Sequence, residues 1–521
     1  MAEAPTAEPP IARAPAGTFR GAALPGVKAW RGIRYAEPPT GELRWRAPVA
    51  PADVDPDEEG VVDALEFGPA CPQSRTAAVP MHGDIRFDED CLSLNVWAPE
   101  GHEDPLPVMV WLHGGAYLFG TGAQSLYGGA ELAVDGVVVV TLNYRLGALG
   151  FLELTRCGEP GEFDGNLALR DVLLALRWVQ RNIAAFGGDP SRVTLFGESA
   201  GGGLVTTLLA TPSAEGLFHR AIAQSSPASS VYGEDRAFGV ARRVLTEVGI
   251  SVGDAGELRD VPLEEVMQAV LKVFGDVPAE APGTIAFAPV VDGELVPESP
   301  VQVLREGRGL PVPLIIGTNK DEASMFKFLK SPLVPVSDAR ILGMLADIRE
   351  ERPELTVPDI ERVRTAYEGL RRQAVGLGIG RDIGFRLPAL WIAEGHSEVA
   401  PTWLYRFDHA TPILRLSGLG AIHASELPYV WRRIGDPSTE LAFRLGGRRV
   451  AERISQRMSA RWLAFAKGED PDAEGMADAP DWPRYEPESR ESLVIAERDR
   501  IVADLDAELR EGWGDEVLAF P

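Results

Sequence analysis

Arg192-Val193-Thr194-Leu195-Phe196-Gly197-Glu198-Ser199-Ala200-Gly201 reads as an apolar strand that turns abruptly at a glycine-flanked serine. Beyond the turn, Leu204, Val205, Leu208 and Leu209 mark a helical stretch, so the serine sits between a strand and a helix. That context gives the Gly-x-Ser-x-Gly pattern its meaning. A bend this sharp forces unusual dihedrals on the serine and lifts its hydroxyl above the sheet edge, and glycines on either side remove side chains that would strike neighbouring backbone. No other segment of the chain fits such an elbow. The alternative, an ordinary glycine-rich turn, is disfavoured by the strand before it and the helix after it.

Working outward, residues 108–112 and 137–142 are compact apolar runs that look buried on two faces. Residues 167–185 change to helical period, with Leu169, Val172, Leu173, Leu176, Val179 and Ile183 forming one stripe. Residues 313–316 and 402–407 supply two further short strands. Strands alternating with helices imply an α/β fold, a large, mostly parallel sheet covered on both faces. With the elbow, the expected architecture is the α/β-hydrolase fold. The helical, charge-rich blocks 236–277 and 337–377 read as insertions near the active-site mouth. Residues 1–17, rich in Ala and Pro, read as a disordered tail, and residues 18–521 as a single domain.

A serine hydroxyl is a weak nucleophile, so it needs a base, and the carbonyl it attacks needs donors where negative charge develops. His113-Gly114-Gly115-Ala116 follows an upstream strand and matches the loop that supplies such donors. The expected oxyanion amides are those of Gly115, Ala116 and Ala200, with Gly114 as the one-residue alternative. Both catalytic partners should lie downstream of Ser199. Of the histidines there, only His423 sits in a glycine-rich segment shortly after a strand. His219 reads as structural, and His396 and His409 lie in or beside charged, surface-like sequence. For the acid, Asp321 and Glu322 compete at the end of the strand 313–316. Either could orient an imidazole, and the other is expected to cap the following helix, a part assigned to Asp321.

The net charge of −26 argues against nucleic acid and anionic membrane partners. The longest apolar stretch, 137–142, is far shorter than a bilayer span. With no basic start or apolar leader at the N-terminus, the expectation is a soluble, cytoplasmic protein. Three cysteines, Cys71, Cys91 and Cys157, are too few and scattered for a disulfide scaffold or a zinc site. In an oxidising compartment Cys71 and Cys91 could pair. Trp403, Phe326, Phe328 and Trp431 are expected to fill core rather than line a pocket.

Taken together, Gly32-Ile33-Arg34-Tyr35-Ala36-Glu37-Pro38-Pro39, Glu89-Asp90-Cys91-Leu92-Ser93-Leu94-Asn95-Val96, Asn143-Tyr144-Arg145, Phe186-Gly187-Gly188-Asp189-Pro190 and Phe196 to Gly202 resemble, in family order, the motifs of the type-B carboxylesterases. That family includes the cholinesterases and the bacterial para-nitrobenzyl esterases. The resemblance implies hydrolysis of small to medium carboxylic esters through an acyl-enzyme, with no metal or organic cofactor. It selects Glu322 over Asp321, and its histidine loop looks like Ala421-Ile422-His423-Ala424. It further implies that Glu198 is a buried carboxylate near the site and that Cys71 and Cys91 correspond to a pair bridged in secreted members. Ala116, Ala323 and Ala424 stand where glycines are usual, and the Gly-Gly-Ala form is closer to the bacterial esterases. Two rival readings are an amide- or carbamate-cleaving enzyme with the same triad and a non-catalytic adhesion module like the neuroligins. The presence of Ser199, His423 and Glu322 argues against the second.

Overall fold

The computed structural model describes residues 8–53, 60–76, 79–81, 83–367, 372–476 and 478–520. Eleven strands form one sheet. In chain order they are β1 (Ala22–Leu24), β2 (Val27–Arg34), β3 (Ser93–Pro99), β4 (Leu106–Leu112), β5 (Val138–Leu142), β6 (Gly188–Glu198), β7 (Arg220–Gln224), β8 (Leu314–Asn319), β9 (Thr402–Phe407), β10 (Ser492–Ile495) and β11 (Arg500–Val502). Their spatial order is β11-β10-β9-β8-β7-β6-β4-β5-β3-β2-β1. From β5 to β10 every neighbouring pair is parallel, and antiparallel strands close both edges.

The central strands are apolar without alternation because helices cover both faces. Leu195, Leu314 and Leu404 face one core with α1 (Leu167–Asn182) and α2 (Ala200–Leu209). Phe196, Ile315 and Tyr405, one residue on, face the other, against Ile454, Met458 and Trp462 of the helix Arg448–Lys467. The six stripe residues of α1 and its 3-10 extension are all buried. Among the later blocks, α3 (Glu234–Glu247), α4 (Leu263–Glu280), α5 (Ala323–Phe328) and α6 (Asp338–Glu351) are helical, and α4 to α6 reach the cavities described below.

The expected N-terminal tail is shorter than residues 1–17. Ile11–Ala14 pairs antiparallel with Gly17–Arg20, which in turn pairs with Val62–Asp63. Small side chains at Ala12 and Ala14 alternate inward, an ordering that an Ala- and Pro-rich composition conceals. Residues 1–7 lie outside the described residues.

Candidate active site

Ser199 stands between the last residue of β6 and the first of α2, with φ 56° and ψ −124°. A non-glycine residue held there stores strain, and its surroundings have to enforce it. They do so by close approach. A Cβ at Gly201 would lie 2.0 Å from the Leu112 carbonyl oxygen, and one at Gly197 would lie 2.6 Å from Gly201 backbone. The elbow is therefore wedged against the end of β4, where the His113 loop begins. Ser199 N–H donates to the Gln224 carbonyl at 2.9 Å, fixing the bend to β7.

The loop after β4 is equally unusual. Gly115, Ala116 and Tyr117 have φ of 125°, 54° and 58° in succession. The N–H groups of Leu118 and Phe119 both donate to the Gly115 carbonyl. Tyr144 Oη donates to the His113 carbonyl at 2.6 Å, and the two rings stack at 4.5 Å. Among the described residues the amides of Gly115 and Ala116 have no protein acceptor. A Cβ at Gly114 would come within 3.0 Å of the Ser199 Cβ, so this loop lies directly over the serine.

His423 comes to the same point from the far end of the chain. Its Nε2 is 2.8 Å from Ser199 Oγ and its Nδ1 is 2.6 Å from Glu322 Oε2. Phe326 and Phe385 pack against the imidazole at 5.3 and 4.8 Å. Glu322, just past β8, is fully buried. Its Oε1 accepts from Ser225 Oγ at 2.5 Å and from Asn319 N–H at 2.7 Å. Asp321 does not cap a helix, contrary to expectation: its Oδ2 accepts from Ala421 N–H at 3.0 Å, and its own N–H donates to the Ala421 carbonyl at 2.9 Å. It ties the acid loop to the histidine loop.

Glu198 is buried beside the imidazole, with Oε1 3.2 Å from His423 Nε2. Burial raises its pKa to about 8, against the pull of His423 and with further pushes from Glu426 and Glu322. Burial lowers the His423 pKa, but the carboxylates of Glu198 and Glu322 outweigh it and raise the value to about 9. The two shifts belong to one pair, and a proton on either group weakens its hold on the other. Glu426 is also raised by burial; Gln224 Nε2 and Asn319 Nδ2 donate to its two oxygens at 2.9 and 2.5 Å.

Ser225, Gln224 and Glu426 were missed from sequence. The only signal was position: Ser225 directly follows a strand beside the elbow, and Glu426 follows His423 by three residues. The other histidines divide differently from expectation. His219 Nδ1 accepts from Val193 N–H at 3.2 Å, a structural part. His396 and His409 are buried, not on the surface; His396 Nε2 is 2.8 Å from the Val312 carbonyl, and His409 lies in a cavity wall. Cys71 and Cys91 are free, buried thiols.

A cavity of about 620 Å³ opens onto Ser199, with Phe119, Leu126, Phe274, Leu414 and Phe443 in its walls. A second, of about 90 Å³, reaches Ser199 past Ala116 and Phe385. Phe326 lines both cavities, whereas Trp403 and Trp431 are core as expected, and Phe328 is exposed.

A strained serine at the strand-to-helix bend of a mostly parallel, helix-covered sheet, with an imidazole and a carboxylate delivered by later strands, defines an α/β-hydrolase. The carboxylesterase family matches residues 8–511. Para-nitrobenzyl esterase of Bacillus subtilis (strain 168) is 36% identical over 504 residues, covering 95% of this chain and 96% of that protein. Phenmedipham hydrolase of Pseudarthrobacter oxydans is 33% identical, with 95% and 96% covered. A solved carboxylesterase from Geobacillus stearothermophilus superposes with a TM-score of 0.81 at 34% identity, over 97% of this chain and all of that one. The chain belongs to the carboxylesterase family and is a carboxylic-ester hydrolase. Among the described residues no helix is long and apolar enough to cross a membrane.

Proposed function

We propose that Ser199, His423 and Glu322 form the catalytic triad of this esterase. The observation that carries the reading is the unbroken chain from Ser199 Oγ to His423 Nε2 at 2.8 Å and from His423 Nδ1 to Glu322 Oε2 at 2.6 Å. Ser199 Oγ attacks the ester carbonyl while His423 Nε2 takes its proton. The oxyanion is met by the amides of Gly115, Ala116 and Ala200, each worth about 3–4 kcal/mol in the transition state. His423 then passes the proton to the departing alcohol, leaving an acyl-serine. Water, deprotonated by the same imidazole, releases the acid and restores the hydroxyl. No step calls for a metal or cofactor.

The substrate class follows from the cavities: uncharged esters of small to medium size, the bulkier half in the large, mainly apolar chamber and the smaller half in the narrow one. A para-nitrobenzyl ester is the natural first probe, given the likeness to the Bacillus enzyme. Residues 18–521 act in this reading as one catalytic domain, and the free cysteines accord with a cytoplasmic setting. The Ser199→Ala variant is expected to melt like the wild type while losing turnover of a chromogenic short-acyl ester. Retained turnover would refute the assignment.

A further inference from the structure

The average charge of this protein conceals a local exception at the mouth of the large cavity. Three segments meet the cavity with one side and solvent with the other: the end of α5 with the residues after it, α7 (Pro412–Leu416), and the turn Pro437–Phe443 with its continuation to Arg449. Each gives the cavity apolar lining, through Leu329, Leu414, and Ala442 with Phe443. Each also turns a large apolar side chain outward: Phe328 is 70% exposed, Leu416 78%, Leu441 62% and Leu445 57%. Water gains nothing from such a cluster, and exposed apolar residues gathered at one opening mark a contact surface.

The charge of these segments is the opposite of the chain's. Residues 324–333, 411–420 and 437–449 hold Lys327, Lys330, Arg415, Arg444, Arg448 and Arg449 against one acid, Glu440, in a protein of net charge −26. None of these six cations makes an ion pair among the described residues, whereas arginines nearby do, Arg432 with Asp135 and Arg433 with Glu131. Arg448 instead lies over the Phe443 ring. The general repulsion of the molecule does not cancel this patch, because charges more than about 10 Å apart are largely screened at 0.1 M salt.

We propose that this rim docks the esterase on a lipid surface carrying anionic headgroups, with the leucines and Phe328 entering the interface and the cations meeting the headgroups. Insertion of apolar side chains beside Lys and Arg is how proteins lie on membranes without crossing them. The same segments line the cavity, so docking would set its mouth against the lipid and admit esters dissolved there. The proposal is independent of the triad assignment.

Flotation of the full chain with vesicles of phosphatidylcholine, and of phosphatidylcholine with phosphatidylglycerol two to one, tests it. The protein is expected to float with the mixed vesicles at about 0.1 M salt, where screening confines the repulsion of the distant acids, and to be released by high salt. The Arg415→Ala/Arg444→Ala variant should partition about thirtyfold less, from about fivefold per basic side chain near a charged surface. Leu416→Ser/Leu441→Ser should lose partition as well. Equal binding to both vesicle types, failure to bind either, or unchanged partition of the arginine variant would overturn the proposal. So would sedimentation showing a dimer that Leu416→Ser/Leu441→Ser dissociates, which would make the rim a self-contact. Ser199→Ala should float like the wild type, so failure at the rim is separable from failure of the triad.

Discussion

Replacing Glu322 by Gln should be far more damaging than the loss of one charge suggests, because the site dictates which way the amide points. Ser225 Oγ and Asn319 N–H both donate to Glu322 Oε1, at 2.5 and 2.7 Å. A glutamine there keeps both bonds only by placing its oxygen on that side. Its NH2 then faces His423 Nδ1, which at 2.6 Å from the present oxygen has to become the acceptor. The imidazole proton is thereby transferred to Nε2, the atom that must accept from Ser199. With that tautomer imposed, kcat is expected to fall about 10⁴-fold, as when the orienting carboxylate of such a triad becomes an amide, or about 5.5 kcal/mol in the barrier. Asp321→Asn is the paired control. Asp321 binds Ala421 backbone and not the imidazole, so its loss should cost at most about a hundredfold, through displacement of the histidine loop. Stopped-assay rates on a chromogenic ester, with melting curves to confirm folding, decide the matter. If Glu322→Gln kept a tenth of wild-type kcat, or if Asp321→Asn were the worse variant, the orienting role would belong elsewhere.

With His423 as the proposed base, active only when neutral, the acid limb of kcat/KM should report its deprotonation. Since the surrounding carboxylates raise its pKa toward about 9, activity should climb with pH through a midpoint above the ordinary imidazole value of about 6.5. Glu198→Gln removes the inactive ion pair with the imidazolium and should move that midpoint down; an unmoved limb would exclude the coupling. Gly201→Ala drives a Cβ to within 2.0 Å of the Leu112 carbonyl. It should cost about 1–3 kcal/mol of stability and depress kcat by disturbing the oxyanion loop. Gly239→Ala on α3, with open space around it, should do neither. Asp171→Ala would strand Arg145, its fully buried partner at 2.6 Å. A stability loss of about 3–5 kcal/mol is expected in urea unfolding, and a loss below a tenth of that would show that water rescues the guanidinium.

The parts of the fold that could be read from sequence are those where local pattern and tertiary environment agree. Residues 402–407 can be delimited as a strand because all six are buried in the sheet and the apolar run stops at Asp408, where burial is only partial. The elbow was legible because its glycines answer to contacts of about one residue's reach. Phe326 and Phe328 show where that reading fails. Two residues on a helix point about 200° apart, so one lines the cavity while the other faces water, yet sequence gives no reason to separate them. His396 and His409 misled for another reason: charged neighbours in the chain masked burial that distant segments provide. Likewise the partnership of Gln224 with Glu426 spans 202 positions, and no local signal announces it.

Three buried carboxyl groups around one imidazole pose a problem that hydrogen bonding resolves unequally. Glu322 accepts from Ser225, from Asn319 backbone and from His423, which uses both oxygens. Glu426 has an amide donor on each oxygen. Among the described residues Glu198 Oε1 has no hydrogen-bond partner, and it lies 3.2 Å from the imidazole. Donors favour the charged form and burial without them favours the neutral one. In the proposed reading Glu198, raised by burial and 3.2 Å from the imidazole, is the carboxyl placed to exchange a proton with His423. On that reading the variable residue of the elbow bears on the acid limb together with the histidine, while Glu322, held by Ser225 and Asn319, orients the ring.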